Sequence, residues 1–154
     1  MSTTVRRATA TTLAAMSVLH VAWATGSAFP ADDRDELADL VAGTNEMPSA
    51  PECLAVATLL GVAAGVVAGP RWLPETVRRF GCLTVASVLG VRAVLGASGY
   101  TQLVVPWTPS ERFERLDRRY YATLCAALAV GSWTARRVDR GSPRRVRAAA
   151  WPWR

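Results

Sequence analysis

The sequence predicts an all-α integral membrane protein, a four-helix bundle with both termini in the cytoplasm (N-in/C-in). Two observations predict it. Hydrophobic residues make up 51% of the 154-residue chain and charged residues 19%, yet the two are separated by segment, with long apolar stretches between short charge-rich ones. A soluble amphipathic helix interleaves polar and apolar residues every turn; separation by segment is what a bilayer demands. The second observation is an alternation of Arg-rich and Arg-poor connections along the chain. The length allows one domain.

The first helix is expected over about 8–29. Arg6 and Arg7 precede it, as in a signal peptide. Its apolar stretch exceeds a signal h-region, however, and Pro30 with an acidic loop follows in place of a small-residue cleavage site, so it reads as a retained helix. The second helix, about 50–68, is opened by Pro48 and Pro51 and closed by Gly69-Pro70. Its Gly61 and Gly65 form a GxxxG that permits close helix packing. The third, about 78–98, carries Arg92 inside it; the fourth, about 118–135, is short for a span of roughly 30 Å.

The connections set the orientation. Arg6 and Arg7 lie at the N-terminus, and the acidic outer loop 30–49 holds six acids (Asp32, Asp33, Asp35, Glu36, Asp39, Glu46) against one Arg. Segment 70–79 has Arg71, Arg78 and Arg79 against Glu75, and 99–117 is near neutral. The basic cytoplasmic tail 136–154 carries seven Arg against Asp139, with Trp151 and Trp153 placed to meet the interface beside anionic lipid. Arg-rich segments thus recur on one side, as the positive-inside rule requires. Within loop 30–49, residues 35–41 read as a short surface helix.

The net charge of +6 sits at membrane-flanking positions, and no nucleic-acid reader motif is present, so no nucleic-acid partner is expected. Cys53, Cys82 and Cys125 are dispersed in apolar segments without a CxxC, which suits buried packing rather than a disulfide framework or thiol redox chemistry. One His cannot supply bis-His haem ligation or a His-rich metal site, and no phosphate loop or nucleophile elbow is present. No cofactor and no metal is expected. The partners expected are the bilayer and a lipophilic small molecule, and the sequence leaves room for a homo-oligomer.

Ionisable residues inside apolar segments carry the most information, because each costs several kcal/mol to bury. His20, Trp23 and Ser27 share a face of the first helix at i, i+3, i+7; Arg92, Gly96 and Tyr100 share a face of the third; Asp117, Tyr121 and Cys125 share a face of the fourth. Glu52 opens the second helix. Four polar residues from four helices therefore fall toward the outer end, accompanied by Trp23, Tyr100, Trp107, Phe113, Tyr120 and Tyr121. This predicts a polar, aromatic-walled cavity open to the outer leaflet. The structural alternative is that Arg92 pairs with Asp117, which neutralises a charge that could not otherwise be buried, and that His20 is an interhelical hydrogen bonder. The run Asp32-Asp33-Arg34-Asp35-Glu36 also spells DDxxE, a form in which carboxylates hold magnesium in prenyl-diphosphate enzymes, and contains DxDE, close to the acid motif of protonating terpene cyclases.

Two stretches, Leu19-His20-Val21-Ala22-Trp23-Ala24-Thr25-Gly26 and Arg92-Ala93 through Tyr100 to Phe113-Glu114-Arg115-Leu116-Asp117-Arg118-Arg119-Tyr120-Tyr121-Ala122-Thr123-Leu124-Cys125, resemble a family of small four-helix actinobacterial membrane proteins, mostly of unknown function. Its pattern is H-x-x-W-A-x-G in helix 1, R-A near the end of helix 3, and F-x-x-x-D-x-x-x-Y-x-P-L-C entering helix 4. Ala122 and Thr123 replace the small residue and Pro of that pattern, so a straighter start to helix 4 is expected. The size and layout are also similar to membrane-bound terpene cyclases of indole sesquiterpenoid and drimentine-type pathways, which cyclise a farnesyl chain on an indole or diketopiperazine.

That second resemblance implies a proton-initiated cyclisation through a carbocation. Such chemistry needs a carboxylic acid kept neutral in a low-dielectric site and aromatic faces for the cation. Asp117 or Glu52 would be the acid, with Asp33 and Asp35 in reserve, and His20 would relay or accept the final proton. Trp23, Tyr100 and Tyr121 would line the cation path, with Trp107, Phe113 and Tyr120 completing the substrate wall. An Arg92–Asp117 pair would keep Asp117 ionised, which makes Glu52 the better acid. The alternatives are a non-enzymatic membrane protein, either a lipid or isoprenoid binder or a helper subunit, and a magnesium-dependent prenyltransferase using loop 30–49.

Overall fold

The computed structural model describes residues 3–103, 105 and 107–137, and among these every regular element is helical. In order they are α1 (Thr3–Ala24), α2 (Arg34–Val41), α3 (Ala50–Ala68), α4 (Glu75–Ser98), a 3₁₀ turn (Thr101–Leu103), α5 (Glu111–Leu116), a π turn (Asp117–Tyr121) and α6 (Ala122–Ala135). The basic tail beyond Arg137, with Trp151 and Trp153, lies outside the described residues.

Several helix ends differ from expectation, each for a local reason. The first helix covers 3–24, not 8–29: Gly26 adopts φ +100° and Trp23 folds its indole back, Nε1 donating to Phe29 O at 2.7 Å. The third begins at Glu75, where Glu75 lies in its first turn and pairs with Arg78. It ends at Gly99, whose φ of +77° closes the helix through Tyr100 N–H to Leu95 O, so Tyr100 is carried off the helix face it was expected to share with Arg92. The last helical run starts at Glu111, seven residues early. Ser110 caps it, its Oγ accepting from Phe113 N–H at 3.1 Å.

The expected straighter entry into this helix is also corrected. The run from Glu111 to Ala135 is interrupted by the π turn, in which Ala122 N–H donates to Asp117 O. One extra residue in the turn shifts the register by about 100°. The inward face therefore passes from Asp117 to Ala122, both buried, and not to Tyr121.

α1 packs along α3, and α4 packs along α6; α1 also meets α6, and α3 meets α4. Small residues let backbones approach at these seams. A Cβ on Gly131 would overlap Thr9 of α1, and one on Gly81 would meet Val66 of α3 at 2.6 Å. Gly61 of the GxxxG faces α1, where Ser17 Oγ donates to Ala57 O at 2.7 Å, while a Cβ at Gly65 would meet nothing. One core cluster joins Leu13, Val67, Cys82 and Leu128; a second, at the opposite end, joins Trp23, Leu37 and Cys53. Leu37 comes from α2, which therefore plugs this end and is not a free surface helix.

Among the described residues, α3 and α4 are the two helices long and apolar enough to cross a membrane. Only 28% and 22% of their apolar windows are buried, whereas the core helix of a soluble protein would be mostly covered. Leu59, Val62, Phe80, Val88 and Val94 all stand exposed along them. A membrane location accounts for that outward apolar surface.

Candidate functional site

The best-defined polar arrangement is built on α4 and the π turn. Arg92 reaches across to Asp117 with both ends of its fork: Nη2 donates to Oδ1 at 2.7 Å and Nη1 to Oδ2 at 3.1 Å. Thr101, buried in the 3₁₀ turn, donates its hydroxyl to Oδ2 at 2.5 Å. Asp117 is 0% exposed. A bidentate guanidinium and a hydroxyl thus give the buried carboxylate three donors, all aimed at its oxygens. Gly96 makes the space: a Cβ there would lie 2.7 Å from Arg92 Nη1 and 2.9 Å and 3.0 Å from the two carboxylate oxygens. Sequence periodicity put Gly96 on the Arg92 face; its role as the floor of the ion pair, and that of Thr101, come from the structure.

The other expected site residues divide among separate arrangements. His20 Nδ1 donates to Met16 O at 2.8 Å, and the imidazole lies against Trp23 with centroids 4.6 Å apart. Glu52 caps its own helix, Oε2 accepting from Ser49 N–H at 2.7 Å and Ser49 Oγ–H at 2.6 Å. Ser49-x-x-Glu52 before an apolar run is a capping-box signature that the sequence displays. Asp33 is an N-cap too, its Oδ1 accepting from Glu36 N–H at 2.7 Å, and Asp35 is exposed in the first turn of α2. The structure thus brings Arg92 and Asp117 together and sets His20 and Glu52 against other partners.

The acidic loop is held by the opposite connection. Arg112 of α5 pairs with Glu36 at 3.2 Å and Asp39 at 3.5 Å, and Ser110 donates to Asp39 through its hydroxyl. Trp107 Nε1 donates to Ala42 O and Tyr121 Oη to Leu40 O, both at 2.9 Å. Phe113 is buried, 6.0 Å from the Tyr121 ring, and a Cβ on Gly43 would strike it at 2.9 Å. Tyr100 and Tyr120 are exposed. Among the described residues no three His, Cys, Asp or Glu side chains are grouped to hold a metal ion.

Beside this docked loop is a cleft of about 450 Å³, lined by Ala42, Thr44, Glu46, Met47, Pro48, Ser49, Glu52 and Trp107. It unites two expected site residues, Glu52 and Trp107, at one opening.

Residues 13–132 match the model of a family described as a protein of unknown function, DUF3995. The chain belongs to the DUF3995 family. The match takes in α1 from Leu13, the whole Arg92–Asp117–Thr101 network and α6 as far as Ser132. No curated protein and no solved structure matches this DUF3995 chain.

Proposed function

We propose that this DUF3995 protein is a multi-pass membrane protein whose four long helical runs, α1, α3, α4 and 111–135, form an N-in/C-in bundle in the plasma membrane. Its outer end holds a lipophilic small molecule, a lipid or isoprenoid, without transforming it. The cleft beside Trp107 carries this reading. Its volume, about 450 Å³, falls in the range of small-ligand sites, and its lining combines apolar Met47, Pro48, Ala42 and Trp107 with a few polar groups. Glu52 in this cleft acts as an acceptor under Ser49, as Asp117 does elsewhere under Arg92 and Thr101.

Two experiments test the proposal. Reporter fusions at each terminus are expected to read cytoplasmic, and an external reading at either end refutes the topology. Mass spectrometry of the gently purified protein is expected to find a co-purifying lipid or isoprenoid that Trp107→Ala releases. Equal retention by the variant would refute the cleft as its seat.

A second reading, a terpene cyclase acting on a farnesylated indole or diketopiperazine, has one specific observation in its favour: Glu52 and Trp107, an acid and an aromatic face, line the same cleft. Membranes bearing Glu52→Gln would then lose conversion of a farnesylated indole that wild-type membranes perform. Absence of conversion by the wild type, or full activity of the variant, refutes this reading.

A further inference from the structure

At the other end of the molecule is a second cleft, of about 360 Å³, lined by Arg6, Arg7, Ala10, Thr11 and Ala68. It lies between the first turns of α1 and the last residue of α3. Two guanidiniums and a hydroxyl-bearing residue line it, and no carboxylate is among the five.

Arg6 is held in place there. Its Nη1 donates to Ala68 O, one of the carbonyls that the end of α3 leaves without an intrahelical partner. Its Nε–H is buried and has no hydrogen-bond partner among the described residues. A guanidinium fixed by one bond at the wall of a cleft has its remaining Nη donors free to meet an anion there. Arg7 supplies the second guanidinium. It is exposed at the rim, its charge adjacent in sequence to that of Arg6. Paired guanidiniums match the tetrahedral oxygens of a phosphate with parallel N–H donors.

We propose that this cleft binds the phosphate of an anionic phospholipid from the inner leaflet. The proposal rests on the N-in topology above, which sets the cleft at the cytoplasmic surface, where anionic lipids concentrate. A head group entering from that leaflet brings its phosphate to Arg6 and Arg7 while its acyl chains run down the exposed apolar faces. Free phosphate shares the chemistry but has no such chains, so the two sources can be separated.

The test is native mass spectrometry of the full chain in neutral detergent, titrated with phosphatidylglycerol, phosphatidylcholine or inorganic phosphate. Phosphatidylglycerol is expected to bind at least fivefold more tightly than phosphatidylcholine, and inorganic phosphate at millimolar concentration is expected not to displace it. Arg7→Gln, at an exposed residue, is expected to weaken phosphatidylglycerol binding by about fivefold, the share of one arginine near an anionic surface. Arg6→Gln is expected to weaken it by at least as much, with a loss of stability from the uncapped end of α3. Equal binding of the two lipids, undiminished binding by Arg7→Gln, or complete displacement by phosphate would each overturn the assignment. Because binding is read in detergent, it is independent of the fusion reporters: an external N-terminus with retained phosphatidylglycerol selectivity refutes the topology and the inner leaflet as the source but not the anion site, and loss of selectivity with a cytoplasmic N-terminus refutes the site alone.

Discussion

Adding a methyl group to α4 at Gly96 should destabilise the protein, although the same change at Gly90 of that helix should not. Alanine is favoured over glycine within a helix by about 1 kcal/mol. At Gly90 a Cβ would meet nothing within 4 Å, so Gly90→Ala is expected to gain up to about 1 kcal/mol. At Gly96 the Cβ would sit 2.7 Å from Arg92 Nη1 and 2.9 Å from Asp117 Oδ1, well inside ordinary contact. Arg92 has a flexible stem, but its fork is tied to Asp117, which Thr101 holds from the other side. The methyl group therefore has to pry the pair open. Losing one partner of a buried ion pair costs about 3–5 kcal/mol. Displacement without removal should cost roughly half of that, and the helix gain reduces it to a net loss of about 1 kcal/mol. The two variants should thus move in opposite directions, about 2 kcal/mol apart. Unfolding by sodium dodecyl sulfate in mixed micelles, followed by helical circular dichroism, measures the difference. If Gly96→Ala proves as stable as Gly90→Ala, the pair does not depend on that close approach and the reasoning fails.

Further outcomes follow from the same contacts. Asp117→Asn is expected to cost about 3–5 kcal/mol because it leaves Arg92 without its counter-charge, and the double change Arg92→Met with Asp117→Leu should recover most of it; an unrecovered loss in the same unfolding assay would point to a role beyond pairing. Thr101→Val removes a hydrogen bond to a charged group and should cost about 1.5–3 kcal/mol, read as a shifted denaturation midpoint. Arg112→Ala breaks only exposed ion pairs, so global stability should fall by less than about 1 kcal/mol, while limited proteolysis within residues 30–49 should quicken as α2 loosens from α5; unchanged cleavage would show that the contacts of Ser110, Trp107, Phe113 and Tyr121 hold the loop without it.

The Arg92–Asp117 pair was legible in the sequence because a lone charge in an apolar segment has to find its opposite. Helical spacing also put Gly96 on the Arg92 face. Thr101 was not legible, since it reaches the pair from beyond the Gly99 turn, where helical spacing no longer predicts neighbours. The early start at Glu111 was hidden for another reason. Its first turns carry Glu111, Arg112, Glu114 and Arg115, so a search for apolar length passes over them although Ser110 marks the cap. The π turn has no sequence signature here, and it alone turns Ala122 rather than Tyr121 inward. Glu52 and Asp33 were weighed as acids when their spacing from Ser49 and to Glu36 already suited helix caps. Function-bearing residue types at a helix start have a local use first.

The arginines at the end remote from the acidic loop bear on how the chain assembles. Arg6 of α1 grips the last carbonyl of α3, and Arg78 of α4 grips Ala135 O at 2.5 Å and Arg136 O at 3.2 Å at the end of α6. In each couple the earlier helix supplies the clasp and the later helix supplies what is clasped. A nascent chain therefore closes its first couple once Ala68 has emerged, before any of the second couple is needed. The ribosome can deliver the protein as two successive hairpins joined by residues 69–74. Synthesis order and packing order then coincide, and the first couple closes at its Ala68 end without help from the second.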